Sequence, residues 1–251
     1  MPNMTPLHNL LLRIRPAPIA RALKRILRIK RSVFDTEFGR IWIDPVSQIG
    51  ASVLKGEYEP TTVKLIRRHF HGGIFVDIGA NEGLFSLLAA STATQVIAVE
   101  PQSRLQPIIK ENIRLNGAHN ISVVRAAISD HKGLDTFHLT PDTNTGSSGL
   151  ARYTRYGLPT ELVSVMTLED LFEEFDINQV DFMKMDIESY EYESILGSRN
   201  LFKEHRIKAF IVEFHDGLLA RRGLSTKPVY DFLAACGYSC QADGAWLIPS
   251  R

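Results

Sequence analysis

A chain of 251 residues with 44% hydrophobic and 23% charged content can bury one sizeable core, and its composition is that of an ordinary soluble globular protein. The net charge of +1 hides an asymmetry. Residues 1–34 hold eight basic side chains and no acid, so of 29 basic residues 21 stay in the remainder against 28 acidic ones, which excludes a generally basic nucleic-acid binder.

From Ala17 to Ile29, apolar Ile19, Leu23, Ile26 and Leu27 recur at helical spacing, with Arg21, Lys24, Arg25 and Arg28 between them. Such a basic amphipathic helix either lies on the inner, anionic face of a membrane or docks on the domain with its basic side in water; both readings stay open. Residues 1–34 are therefore set apart as an extension from a domain of residues 35–251. No apolar run reaches transmembrane length, and the interrupted N-terminal leucines form no signal-peptide core, so a cytoplasmic protein is expected.

Val33 to Ile43, with Gly39 in the middle, reads as a short hairpin or a pair of extended pieces, and residues 60–70 suit a helix with Pro60 in its first turn. Ile74 to Ile78 is an apolar run of strand length, followed by a glycine-bearing turn and a helix from Leu84 to Ala90. Val96 to Val99 is a second buried strand, and it ends on Glu100. Strand, glycine turn, helix, strand, acid is how an open α/β sheet holds an adenosine-containing cofactor. The glycines admit the ligand, the helix start attracts its anionic group, and the acid takes the ribose hydroxyls. Dinucleotide enzymes want glycines at i, i+2 and i+5; counted from Gly79 the later positions hold Asn81 and Leu84, which disfavours a nicotinamide oxidoreductase.

Further along, Pro107 to Leu115 is helical and stops at Asn116-Gly117, and Ile121 to Ile128 is a third strand. Residues 134–140 and 163–166 alternate as strands and form a hairpin-like insertion beside the main sheet, and the polar, glycine-rich segment 140–149 between them is a connector or a lid. Thr167 to Asp170 starts a capped helix through Phe175. Then come a fourth strand (Val180 to Ile187), a helix (Tyr190 to Leu196), a fifth strand (Ala209 to Phe214) and a helix (Val229 to Cys236). An antiparallel hairpin closes the chain, with Asp243-Gly244 at its turn and Trp246 in the core. Cys236 and Cys240 are too widely spaced for a CxxC redox pair and read as buried thiols of a reducing compartment.

The spacing Asp77, Gly79, Gly83 resembles motif I of the class I S-adenosylmethionine-dependent methyltransferases. Together with VDIGANEG (76–83), VEP (99–101), AAISDHKG (126–133) and DFMKMDIESYE (181–191), it makes residues 57–215 similar to the FkbM family of methyltransferases. The resemblance implies a Rossmann-like α/β fold whose mostly parallel seven-stranded sheet ends in the antiparallel hairpin. It also implies S-adenosylmethionine as cofactor and O-methylation of a sugar, glycoconjugate or natural product. On this reading Asp77 orients the turn and meets the ligand's ammonium, directly or through water, and amides around Gly79, Ala80 and Asn81 meet its carboxylate. Gly83, Glu100 and Pro101 complete the cradle, and the small Ala126 and Ala127 border the adenine. Asp130 either holds the exocyclic amine or caps its turn. The family usually has Gly and Ala where this chain has Ser189 and Tyr190, and the bulkier Tyr190 would narrow the pocket.

Strand alternation gives Lys184, Asp186 and Glu188 one direction, and Glu213 and His215 another, at neighbouring strand ends. Mutual ion pairing, for instance of Lys184 with Glu213, is one account of this cluster. For methyl transfer to a hydroxyl, Asp186, Glu188 and His215 are the candidates to take the proton, His215 as a base near neutral pH. Lys184, Asn144 and Ser147 are the expected substrate neighbours, since the resemblance favours a lid at 140–149. Asp186, Glu188, Glu213 and His215 could instead ligate a divalent metal, against which the charge of Lys184 argues, and no metal is assigned. Methylation at nitrogen or carbon, or a non-catalytic adenosyl-binding module, are the other readings. A small-molecule or glycan acceptor is the expected partner.

Overall fold

The computed structural model describes residues 26, 29–151 and 157–248. The amphipathic helix expected over 17–29 lies outside the described residues, apart from Ile26 and Ile29. β1 (Ser32–Thr36) and β2 (Gly39–Ile43) form the expected antiparallel hairpin, with Gly39 at φ 99° just past the turn. A helix that the sequence reading left out follows, α1 (Gln48–Lys55). The Ser47 side chain accepts from the Gly50 amide at its start, and Gly56 ends it in the left-handed region.

α2 (Pro60–His69), β3 (Ile74–Ile78), α3 (Leu84–Ala90), β4 (Gln95–Val99) and α4 (Gln106–Asn116) fall where the periodicity puts them. The single strand expected over 121–128 is instead two. β5 (Ile121–Val124) pairs with β4, whereas β6 (Ala127–Ile128) leaves the main sheet at exposed Arg125 and pairs parallel with β8 (Thr160–Met166). With β7 (Gly133–His138) these make a separate sheet ordered β6-β8-β7, the insertion anticipated from the alternation. α5 (Leu168–Glu174) carries a complete capping box between Thr167 and Asp170.

β9 (Phe182–Met185) and β10 (Ala209–Val212) are shorter than the apolar runs that contain them, and each is followed by helix: α6 (Glu191–Gly197) and α7 (Arg199–Lys203) after β9, α8 (Asp216–Arg221) and α9 (Lys227–Ala235) after β10. β11 (Ser239–Cys240) and β12 (Trp246–Leu247) close the main sheet, whose order is β11-β12-β10-β9-β3-β4-β5. All its pairings are parallel except those of β12 with β10 and β11. This is the mostly parallel seven-stranded α/β sheet with an antiparallel closing hairpin that the resemblance implies.

One face of the sheet packs Val76, Ile97 and Met183 against Phe172, Ile195 and Leu233, and Trp246 stacks on Phe210 at 5.9 Å. The other packs Phe75, Val96 and stacked Phe182 against Phe85, Ile66 and Ile43. Burial on both faces explains why the strands read as unbroken apolar runs. The cysteines are not buried as expected: Cys236, at the end of α9, is half-buried, and Cys240 is exposed on the edge strand β11. Among the described residues no helix is long and apolar enough to cross a membrane.

Candidate active site

Strand order reverses about β3, with β4 and β5 on one side and β9 and β10 on the other. The carboxyl ends of these strands border a crevice, the usual ligand position in an open α/β sheet. A cavity of about 360 Å³ opens there. Gly79, Ala80, Asn81, Glu100, Pro101, Ala126, Ala127, Asn144, Ser147, Lys184, Asp186, Glu188 and His215 all line it, so the predicted residues converge although they come from six separate stretches of chain.

Two predicted cofactor residues stand behind the wall. Asp77 is fully buried; its Oδ2 accepts a 2.6 Å hydrogen bond from Ser86 and its Oδ1 has no partner. Burial raises its carboxyl above the ordinary range, against the opposing charge of Lys184. Asp77 therefore acts on the turn from beneath and does not reach into the cavity. Gly83 begins α3 at φ 82°, and a Cβ there would lie 3.3 Å from Ile109, so this glycine serves helix packing.

The expected amide cradle is also corrected. The Gly79 and Ala80 amides both donate to the Val99 carbonyl at 3.0 Å, and the Asn81 amide donates to Glu100 Oε2 at 3.0 Å. These donors hold the turn together and are not available to a ligand carboxylate. Glu100, 3% exposed at the end of β4, also accepts from the Gln102 amide at 2.9 Å. Burial pushes its carboxyl up to about 7 even so.

The segment 140–149 is fastened across the opening rather than loosely connecting two strands. Thr145 at the start of its short 3₁₀ turn donates to Asn81 Oδ1 at 3.0 Å, Gln102 Nε2 donates to the Thr145 carbonyl, and Arg104 donates to the Thr140 carbonyl at 2.7 Å. Asn144 Nδ2 donates to Ser147 Oγ at 3.2 Å.

Lys184 is 4% exposed and pairs with Asp186, Nζ to Oδ2 at 3.5 Å, rather than with Glu213. It also reaches the Gly79 carbonyl at 3.4 Å and lies over the Phe85 ring at 5.3 Å. Burial opposes its charge, but Asp186, Asp77, Glu59 and Glu213 outweigh that and raise its pKa. Because β9 ends at Met185, strand alternation does not carry Glu188. The backbone turns left-handed at Glu188 (φ 55°) and Ser189 (φ 84°), and that turn presents Glu188 to the cavity.

His215 sits just past β10. Its Nδ1 lies 3.3 Å from Glu191 Oε1, and its Nε2 lies 3.8 Å from both Asp186 Oδ1 and Glu188 Oε2. Burial works against the imidazolium. The Glu191 hydrogen bond and the charges of Glu191, Glu188 and Asp186 more than offset it, pushing His215 up to about 9. Near neutral pH the ring therefore already carries its proton and is not free to take one from an acceptor.

Sequence reasoning missed Tyr58 and Glu59, which line the cavity from the segment between α1 and α2; Tyr58 stacks on Phe85 at 5.7 Å. No periodic signal marks them, although an aromatic flanked by two acids ahead of Pro60 is a visible oddity. Arg31, counted with the basic extension, makes a buried ion pair with cavity-lining Glu82 at 2.6 Å.

Among solved structures, the chain is similar to the methyltransferase FkbM from Methylobacillus flagellatus KT at 15% identity, with a TM-score of 0.47. That match covers 92% of this chain and 60% of that protein, so this chain spans little more than half of its relative's length. It is also similar to precorrin-6Y C5,15-methyltransferase from Geobacter metallireducens GS-15, at 15% identity and a TM-score of 0.41 over 73% of both chains. The YcgJ protein from Bacillus subtilis matches at 12% identity and a TM-score of 0.39, over 72% of this chain and 69% of that one. No curated protein matches the sequence. The model of the methyltransferase FkbM domain family matches residues 77–240, from the glycine turn to the closing hairpin, and the chain belongs to the FkbM methyltransferase family.

Proposed function

We propose that this methyltransferase uses S-adenosylmethionine to methylate a hydroxyl of a sugar, glycoconjugate or natural product. The observation that carries the reading is the contact between the glycine turn and the acid cluster: Asp186 follows β9 against Gly79, inside the cavity that Glu100 also lines. The residues fit the cofactor. Glu100 lines the cavity as an acceptor for ribose hydroxyls, the small Ala126 and Ala127 suit a flat ring, and the wall's acidic excess suits a cation. When bound, S-adenosylmethionine supplies a methyl group on a positively charged sulfur.

The chain's own task is then alignment and proton removal. Asp186 or Glu188 takes the hydroxyl proton, while Lys184 pairs with Asp186 Oδ2 and fixes its position. Segment 140–149 and Tyr190 limit water and shape the acceptor's entry. The acidic wall favours one second reading, methylation at nitrogen, because carboxylates also hold an ammonium and accept its proton.

The test is transfer of labelled methyl from S-adenosylmethionine to hydroxylated and amine-bearing acceptors by the full chain. D186N and E188Q should each lower turnover at least about a hundredfold while S-adenosylhomocysteine still binds. Label on amines alone would replace the first reading with the second, and no transfer to either class would count against both.

A further inference from the structure

We propose that Glu59 binds the α-ammonium group of S-adenosylmethionine. The inference rests on that molecule being the cofactor. An ammonium needs acceptors, and the one expected for it, Asp77, is fully buried behind the cavity wall. Glu59 lines the cavity itself. A stack of side chains sets its segment beside the glycine turn. Tyr58 lies on the Phe85 ring at 5.7 Å, Lys184 Nζ lies over the same ring at 5.3 Å, and Nζ stands 3.4 Å from the Gly79 carbonyl oxygen. Tyr58 also meets Phe38 edge-on at 6.0 Å, which fastens the segment to the β1–β2 hairpin.

The conformation of Glu59 supports this role. A residue before proline favours extended backbone, yet Glu59, before Pro60, is left-handed at φ 40° and ψ 57°. Such strain persists only where the surroundings hold it. As the N-cap of α2 its side chain could accept from the helix amides, but it makes no such bond and lines the cavity instead. Its Oε2 is buried with no hydrogen-bond partner, a costly state for a carboxylate oxygen that a charged donor relieves. The cavity's lysine does not meet that need, since Lys184 pairs with Asp186 Oδ2 at 3.5 Å. The charge of Glu59 nevertheless bears on the groups around it. After burial and Asp186, Glu59 raises the Glu213 carboxyl, and with Asp186 and Asp77 it keeps Lys184 charged against its burial. An ammonium beside Glu59 would also ease the repulsion on Glu213.

The test is calorimetric titration of the full chain and of E59Q with two ligands, S-adenosylhomocysteine and its deamino analogue, in which hydrogen replaces the amino group. The unaltered chain should prefer S-adenosylhomocysteine at least about tenfold. E59Q should lose most of that preference while binding the deamino analogue no more weakly than the unaltered chain does, which also shows that the variant is folded. E59D, which keeps the charge, should retain part of the preference, and E59A is read as E59Q is should E59Q not fold. A preference that E59Q keeps in full, or equal weakening of both ligands in E59Q, overturns the contact and leaves the cofactor reading intact. Binding of neither ligand by folded, unaltered protein removes the cofactor reading and this inference with it.

Discussion

The carbonyl oxygen of Asp186 fills the space a side chain on Gly79 would need: an ideal Cβ on Gly79 would lie 1.9 Å from it. Gly79 also stands at φ 81°. The turn after β3 and the acid after β9 are thus held in backbone contact, which places a cofactor-binding element and a proton acceptor on one wall. G79A should therefore separate them. Its expected cost is about 2–4 kcal/mol of unfolding free energy, with loss of S-adenosylhomocysteine binding and turnover together. Urea denaturation and calorimetry measure both, and a stable, active G79A would refute the contact's role.

Ser189 carries two local penalties at once. It stands at φ 84°, and its buried hydroxyl has no partner, whereas the Ser189 amide, which donates to Glu191, would survive a change to glycine. S189G should stabilise the protein by about 1–2 kcal/mol. A lower melting temperature in S189G would show that the serine packs more usefully than its geometry indicates.

Arg31 and Glu82 test how the N-terminal segment is tied to the cofactor turn. The carboxylate is 1% exposed, and Arg31 also donates to the Trp42 carbonyl at 3.2 Å. R31A leaves a buried charge without its partner and should cost about 3–5 kcal/mol, whereas R31M/E82L should recover most of that. Equal losses in the single and double variants would mean that packing, not charge, is what matters here.

Glu100 gives the pH dependence. In the free protein its pKa is raised from the ordinary 4.5 to about 7 by burial. The native state thus holds the proton more tightly than the unfolded chain, and the stability this group contributes falls as pH rises from 4.5 towards 7. Accepting ribose hydroxyls favours the ionised form, so ligand affinity should move the other way. Between pH 6 and pH 8 it should rise by up to about tenfold, and E100Q should flatten the profile. A wild-type profile as flat as that of E100Q would remove Glu100 from the ribose.

Most of the fold was legible in the sequence because strands buried on both faces, such as Phe75 to Ile78 and Val96 to Val99, leave an unmistakable apolar run. The cavity was legible because glycine turn and terminal acid recur at set places on such strands. What escaped depends on tertiary partners. α1 was hidden by Gly50 in its first turn, which is there because a Cβ would meet the Asp44 carbonyl at 1.9 Å. The break between β5 and β6 is set by where β8 lies, not by any signal in Val124-Arg125-Ala126. The amides of Gly79 to Asn81 were assigned to a ligand because nothing local shows that Val99 and Glu100 already take them. Nothing local distinguishes Glu191 from an ordinary first-turn acid; its burial beside His215 is set by the fold.

The most direct measurement is calorimetric titration of the full chain with S-adenosylhomocysteine beside E100A and D77A. The cavity reading predicts a single site of micromolar affinity, weakened at least about tenfold in E100A by loss of the ribose contact. In D77A it predicts weakening through the turn. Absence of binding by folded wild-type protein would contradict it and leave the glycine turn as packing alone.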